Sequence, residues 1–330
     1  MQYPLIIFRK GWIKMKWTFV SRQTLLVSIA CALLLATVFF PGCTSSTPQT
    51  PASAATVAAT PAPAPQPVAT AAAQAPATVA TTSTPKPVYT ASPGNLVVFT
   101  AASLTGASTT IGSSFTAAYP GTTVSFDLDG TQALKTQVEN GAYADVFISA
   151  SNSYTNTLQS EGYFVDGTVK KLATNYVILI LPPSNPANIQ SLADLAKPGV
   201  KIAMEAKQVP AGTATLAVLA NLANSTYNQA WENATLANVV TYETSEPAVA
   251  TKVSLGEVDA GFVYQSTAAA AAPGTYQSIA IPVKYNYLQT YTIAILKEST
   301  NQAAAGWFEQ YMLSSAGQNI LKEYGFMGPS

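Results

Sequence analysis

The chain has 330 residues, and its 16 basic and 16 acidic residues cancel to a formal net charge of zero. Both arginines precede Cys43, and the part after Cys43 has 11 lysines against 16 acidic residues, so no basic stripe or guanidinium is available for nucleic-acid phosphates. The sequence contains no histidine, which excludes Ser-His-Asp and Cys-His catalysis as well as histidine metal sites.

The first 43 residues are typical of a secretion signal. A basic region ends near Arg22, and residues 24–40 form an uncharged, mainly apolar run at the short limit for a membrane span. The run ends at Pro41-Gly42-Cys43, which resembles the lipobox of lipoprotein signals. We therefore expect residues 1–43 to be a signal peptide and Cys43 to be lipidated. An uncleaved signal anchor is the alternative, and either would hold the protein at the outer face of the cytoplasmic membrane.

Residues 44–93 have a different composition from the rest of the chain. They contain 10 prolines, many alanines and threonines, and one charged residue, Lys86. Such a segment cannot bury enough apolar surface to fold, so we expect an extended tether.

The remaining residues, 94–330, alternate strand-like and helix-like stretches, as in an α/β sheet. The predicted strands are, in chain order, 96–99, 123–128, 144–149, 176–181, 200–204, 239–242, 260–264, 279–283 and 290–296. The predicted helices begin near residues 103, 131, 192, 211 and 246, and two more close the chain. Because the last strand begins a return segment, we expect two hinged lobes. One comprises about 94–177 with 288–330, and the other about 178–287.

Four of these helices begin directly after a strand, in a way that suits an anion. Ser103 opens the first and Thr131 the second, while Ala211 and Glu246 lie at the starts of two helices in the other lobe. A helix N-terminus offers free N–H groups and about half a positive charge, and a hydroxyl adds a donor. One serine here would be an ordinary helix cap. The repetition predicts an oxyanion site of neutral donors between the lobes, which disfavours phosphate because a donor-only site has no acceptor for its proton.

The same residues belong to a series of motifs that runs over residues 95–327. The motifs are VFTAASL (98–104), QVENGAYADVF (137–147), VPAG (209–212), GEVDAGFVY (256–264) and YGF (324–326). In this order they resemble the molybdate-binding proteins of ABC transporters, a family of two-lobed substrate-binding proteins. The resemblance implies a periplasmic-binding-protein-like α/β fold, in which each lobe is a mixed, mainly parallel sheet flanked by helices, with a hinged cleft between the lobes.

The resemblance also implies a ligand set within a substrate-binding domain at 94–330. The hydroxyls of Ser103 and Thr131, the backbone N–H groups of Ala211 and Glu246, and the hydroxyl of Tyr264 would hold molybdate or tungstate as an intact oxyanion. No cofactor and no enzymatic activity are expected. The alternative for Tyr264 is a core tyrosine at the end of a strand.

Glu246 is the main departure from the family pattern. Some archaeal relatives complete a six-coordinate metal centre with two carboxylates, and Glu246 offers one, but no acid stands near Val209 as its partner. We therefore expect tetrahedral binding, with the Glu246 carboxylate turned to solvent, because an inward carboxylate would repel a dianion unless it bound the metal directly.

The sequence thus predicts a tethered extracytoplasmic monomer that captures molybdate, and also tungstate, and delivers it to a membrane permease and its ATPase. A binding protein for sulfate or phosphate is the first alternative. A surface adhesion protein is another, supported only by the long tether. A serine hydrolase using Ser103 is disfavoured because no histidine is available as its base.

Overall fold

The computed structural model of the chain describes residues 94–329. The predicted signal peptide with Cys43 and the predicted tether at 44–93 lie outside the described residues. Within 94–329, no helix is long and apolar enough to span a membrane.

The described residues form ten strands in two five-stranded sheets. The strands are β1 (Asn95–Ala101), β2 (Thr123–Asp129), β3 (Val146–Ser149), β4 (Lys170–Asn175), β5 (Val177–Leu181), β6 (Ile202–Glu205), β7 (Val239–Glu243), β8 (Ala260–Tyr264), β9 (Gln277–Ala280) and β10 (Gln289–Ile295). The strand order is β2-β1-β3-β10-β4 in one sheet and β7-β6-β8-β5-β9 in the other. The two sheets therefore repeat one topology.

In each sheet only the fourth strand, β10 or β5, runs antiparallel to its neighbours. The predicted fold class, two mixed and mainly parallel sheets flanked by helices, is confirmed. Central strands such as β1 and β8 are buried along almost their whole length because helices cover both faces of each sheet, which explains their continuous apolar runs.

Nine α-helices surround the sheets in the described part of the chain. They are α1 (Thr105–Ala118), α2 (Thr131–Glu139), α3 (Asn152–Ser160), α4 (Pro210–Ser225), α5 (Gln229–Ala237), α6 (Glu246–Ser254), α7 (Gln265–Ala269), α8 (Gln302–Leu313) and α9 (Ser315–Glu323). A short 3₁₀ turn at Ala102–Leu104 precedes α1, so the α-helix predicted near Ser103 starts two residues later.

We call the sheet that contains β1 and its helices lobe 1, and the other sheet and its helices lobe 2. The chain crosses between them at Tyr176 and again at 281–288. Side-chain amides hold both crossings. Asn175 Nδ2 donates to Ser266 Oγ at 2.8 Å, and Asn286 accepts from Val177 N–H at 3.1 Å while donating to Val177 O at 2.8 Å. These bonds fix the paths by which the chain leaves and re-enters lobe 1.

Candidate functional site

A small cavity with about 10 Å³ of free space lies between the two lobes. All five residues predicted to form the site line it: Ser103 and Thr131 from lobe 1, and Ala211, Glu246 and Tyr264 from lobe 2. The topology explains why they meet. Each lies at, or just after, the carboxyl end of a parallel strand, and the carboxyl ends of parallel strands share one edge of a sheet.

The two lobe 1 hydroxyls are buried and hydrogen-bonded to other groups of the chain. Thr131 is the first residue of α2, and its Oγ1 accepts from Ala150 N–H at 3.1 Å, which leaves the hydroxyl proton available for donation. Ser103 Oγ lies 2.8 Å from Tyr291 Oη and also bonds to the Glu246 carboxylate. Since an ionised carboxylate only accepts, Ser103 donates to Glu246 in that state and Tyr291 donates to Ser103.

The turn from β6 into α4 brings backbone N–H groups to the cavity. Pro210 is the first residue of α4, where its missing N–H costs nothing. Gly212 follows so closely behind the end of β6 that a Cβ there would overlap the carbonyl oxygen of Ala206. The N–H groups of Ala211 and Gly212 lie near the carboxylate of Glu205 and lower its pKa, although Glu205 Oε2 has no hydrogen-bond partner among the described residues. The predicted Ala211 donor therefore lies at the cavity, beside a carboxylate of the chain itself.

Glu205 also lines the cavity, although it is not among the residues predicted from the sequence. It is the last residue of β6, is 3% exposed and lines the cavity with Val209. The expectation that no acid stands near Val209 is therefore wrong. The available signal was the position of Glu205 at the carboxyl end of a strand, but the predicted strand stopped one residue short of it.

The expectation that the Glu246 carboxylate turns to solvent is also wrong. Glu246 is 3% exposed and lines the cavity. Its Oε1 accepts from Tyr264 N–H at 2.8 Å and from Thr267 Oγ1 at 3.0 Å, and these bonds partly offset the water that it loses. Two carboxyl groups therefore face the cavity, and the predicted donor-only site is corrected to one that contains both donors and acceptors.

Burial shifts the titration of both acids. It raises the pKa of Glu246 from its ordinary 4.5 to about 7, against the lowering effect of the bonds from Tyr264, Thr267 and Ser103. Burial, followed by the nearby charge of Glu246, raises the pKa of Glu205 well above its usual range, although the N–H groups of Ala211 and Gly212 lower it. Near neutral pH the two acids therefore hold protons that exposed glutamates would have lost.

Tyr264 closes the cavity from the end of β8. Its ring is buried, and burial raises the pKa of its hydroxyl well above the usual value, so the group remains a neutral donor. In this structure Tyr264 Oη donates to Gln289 Oε1 at 3.0 Å, and Gln289 Nε2 donates in turn to Ala150 O. The predicted oxyanion donor thus lies at the cavity, and its O–H donates to Gln289 of lobe 1.

The lobes touch on both sides of this cavity. Gln132 Nε2 of lobe 1 donates to Thr244 O of lobe 2 at 3.2 Å, and Tyr154 Oη donates to Gln208 O. On another side, Gly106 of α1 lies so close to lobe 2 that a Cβ on it would overlap the methyl group of Ala270. The cleft is therefore narrow, and a ligand in it would contact both lobes.

The chain is similar in sequence to known solute-binding proteins. The model of a family described as "Bacterial extracellular solute-binding protein" matches residues 96–327. Molybdate-binding protein ModA of Mycobacterium tuberculosis strain H37Rv is 35% identical over 237 residues, covering 71% of this chain and 85% of that protein. The sequence matches confirm the resemblance that the motifs predicted.

Two solved structures share the fold. The periplasmic molybdate-binding protein of Azotobacter vinelandii is 24% identical, with a TM-score of 0.63 over 71% of this chain and 100% of its own. The sulfate-binding protein SubI of Mycobacterium tuberculosis is 18% identical, with a TM-score of 0.63 over 70% of this chain and 86% of its own. Because these two proteins are named for different anions, the fold by itself does not select the ligand.

Proposed function

Because this chain belongs to the family of bacterial extracellular solute-binding proteins, we propose that it captures molybdate in the cavity between its lobes. The observation that carries the proposal is the meeting of four helix starts, two from each lobe, at one buried cavity. The name of the relative from Mycobacterium tuberculosis supports molybdate as the anion.

The donors at the cavity suit a tetrahedral dianion. Ser103 and Thr131 each contribute a hydroxyl and their own N–H group, Ala211 and Glu246 contribute N–H groups at helix starts, and Tyr264 contributes a phenol. About seven charge-assisted hydrogen bonds, after the costs of desolvation and lobe closure, would leave about 8–12 kcal/mol, which corresponds to micromolar to nanomolar affinity. The anion would be held intact by hydrogen bonds, as a bound solute and not as a substrate to be converted or a cofactor.

The proposal extends to transport. Tungstate has the same charge and shape as molybdate and would occupy the same donors. Closure of the lobes around the ion would be the state that a membrane permease and its ATPase recognise. Lipidation of Cys43, or an uncleaved signal anchor, would hold the monomeric protein at the outer membrane face, with residues 44–93 as the tether.

Phosphate is a second candidate because of the two acids. Glu205 and Glu246 provide acceptors that would take the proton of hydrogen phosphate, which a donor-only site lacks. Sulfate carries no such proton at neutral pH, and it is smaller than molybdate.

Calorimetric titration of the purified full chain with molybdate, tungstate, sulfate and phosphate tests the proposal. We expect molybdate and tungstate to bind with micromolar or lower Kd, and sulfate and phosphate to bind at least tenfold more weakly, a difference of roughly 1.4 kcal/mol. No binding of molybdate or tungstate would contradict the proposed function. Tighter binding of phosphate would favour the second candidate, and equal binding of sulfate would contradict the selectivity.

A further inference from the structure

We propose that Glu205 and Glu246, here called the acid pair, take up protons when a dianion is captured, so that binding weakens as the pH rises. This inference rests on the proposed function, because it concerns the state of the same site when the anion is present.

The geometry places three like charges in one small space. Both members of the acid pair are almost fully buried, and both line the small cavity in which the anion would lie. Among the described residues, those lining this cavity include no lysine or arginine. Two ionised carboxylates would therefore repel a dianion with little solvent screening and no compensating cation.

The neighbouring side chains do not supply the missing positive charge. Tyr264 and Tyr291 lie beside the acid pair, and the pKa of each hydroxyl is raised well above its usual value, so both are neutral. Thr267 contributes only a hydroxyl.

The charged groups of the adjoining elements are engaged with one another. Glu243 lies opposite Glu205 in the β6–β7 register, and its Oε1 is 3.8 Å from Lys252 Nζ of α6. Lys252 Nζ also lies 3.2 Å from Glu257 Oε2. This network has exposed members and lies outside the residues that line the cavity.

Protonation removes the repulsion and also creates donors. A neutral carboxyl group carries one O–H, which can donate to an oxyanion where a carboxylate cannot. Neutral Glu205 would also attract the nearby N–H groups of Ala211 and Gly212 less strongly, so that they could donate to the anion. The proton comes from solution and attaches to a carboxylate oxygen. The oxyanion itself is unchanged.

The two carboxyl groups of the acid pair are already close to being protonated in the absence of the anion. Burial raises the pKa of Glu246 to about 7 and that of Glu205 well above its ordinary range, and a bound dianion would raise both again. At neutral pH the anion would therefore complete the protonation of the acid pair.

The test is calorimetric titration of the full chain with molybdate between about pH 6 and pH 9, in two buffers of different ionisation enthalpy. Above about pH 7 we expect Kd to rise by up to about tenfold per pH unit for each proton taken up. The measured heat should differ between the two buffers, which reports the uptake directly.

Two variants assign this dependence to the acid pair. Glu246→Gln keeps an oxygen that can accept from Tyr264 N–H and Thr267, and it should reduce the pH slope. Glu205→Gln combined with Glu246→Gln should make Kd independent of pH. Glu309→Gln is the matched control, because Glu309 is a buried acid of α8 with a raised pKa that does not line the cavity. It should keep the slope of the unmodified chain.

The ligand-free chain gives a readout that needs no anion. Since the pKa of Glu246 is raised in the folded state, its contribution to stability is fully present below about pH 4.5 and is lost as the pH rises through about 7. The melting temperature should therefore fall over this range, and it should fall less in Glu246→Gln.

Three results separate the possible failures. Molybdate binding with a pH-independent Kd and no buffer-dependent heat would overturn the inference and leave the proposed function intact. Affinity that rises with pH would also overturn it, because it would mean that the carboxylates act in their ionised form, for instance by bonding directly to the metal. No binding at any pH, by either the unmodified chain or the double variant, would contradict the proposed function itself.

Discussion

Thr131 shows how one hydroxyl serves the fold and the candidate site together. Its Oγ1 accepts from Ala150 N–H at 3.1 Å, so its own proton is available to an anion in the cavity. Thr131→Val keeps the shape but removes both functions. We expect it to weaken molybdate binding by about 1–3 kcal/mol, measured by calorimetric titration.

Two control substitutions test whether the effect is specific to the Thr131 hydroxyl. Thr131→Ser retains the hydroxyl and should bind within about threefold of the unmodified chain, or roughly 0.7 kcal/mol. Thr136→Val changes an exposed threonine of the same helix, whose Oγ1 donates to Gln132 O, and it should leave affinity unchanged. Unaltered binding by Thr131→Val would remove this hydroxyl from the site.

For single residues, the sequence predicts which of them reach the cavity better than it predicts where their side chains point. The five predicted residues reach one cavity because each follows a strand, and strands are visible as apolar runs. The inward carboxylate of Glu246 depends on Tyr264 N–H and Thr267, which lie 18 and 21 residues away in the chain. Such a contact depends on how α6 and β8 pack, and no local pattern reports it.

At the scale of secondary-structure elements, the main prediction concerns the turn from β6 into α4, where Gly212 lies. A Cβ on Gly212 would overlap Ala206 O and lie 2.6 Å from Glu205 O, both of them backbone atoms that cannot easily move. We expect Gly212→Ala to lower the free energy of unfolding by about 1–3 kcal/mol. It should also weaken molybdate binding, because the turn positions Ala211 N–H. Urea unfolding and calorimetric titration measure the two effects.

Gly306→Ala is the control for this substitution. Gly306 lies inside α8, and a Cβ there would have no neighbour within 4 Å. Alanine should stabilise that helix by roughly 0.5–1 kcal/mol without changing affinity. Equal effects of the two substitutions would mean that the tight turn has no special role.

The elements that are predicted correctly are marked by apolar runs in the sequence, whereas the missed helices depend on caps and packing. β5 and β8 are apolar runs and are found within one residue of their expected bounds. By contrast, α3 is a polar helix without an apolar stripe, and it begins where Ser151 Oγ accepts from Tyr154 N–H. Likewise α5 begins where Asn228 caps Trp231 N–H. Both helices depend on caps and on packing against a lobe, which periodicity does not reveal.

At the scale of the whole molecule, ligand binding depends on how closely the lobes approach. The sequence predicts two lobes from the return of the chain, but not the surfaces that meet. The structure identifies one such contact between Gly106 of α1 and Ala270, which directly follows α7. A glycine at this point allows the lobes to come together, since even one methyl group would collide with the opposite lobe.

Gly106→Ala should therefore hold the cleft partly open. Each lobe would keep its own core, so the melting temperature without ligand should change little, but molybdate would lose donors from one side and bind at least tenfold more weakly, or roughly 1.4 kcal/mol. Adding Ala270→Gly removes the methyl group that the introduced side chain would meet, so the double variant should recover most of the affinity. Small-angle scattering with molybdate should show a larger radius of gyration for the single variant than for the double variant. If Gly106→Ala bound normally, or if Ala270→Gly gave no recovery, closure at this contact would not limit capture of the anion.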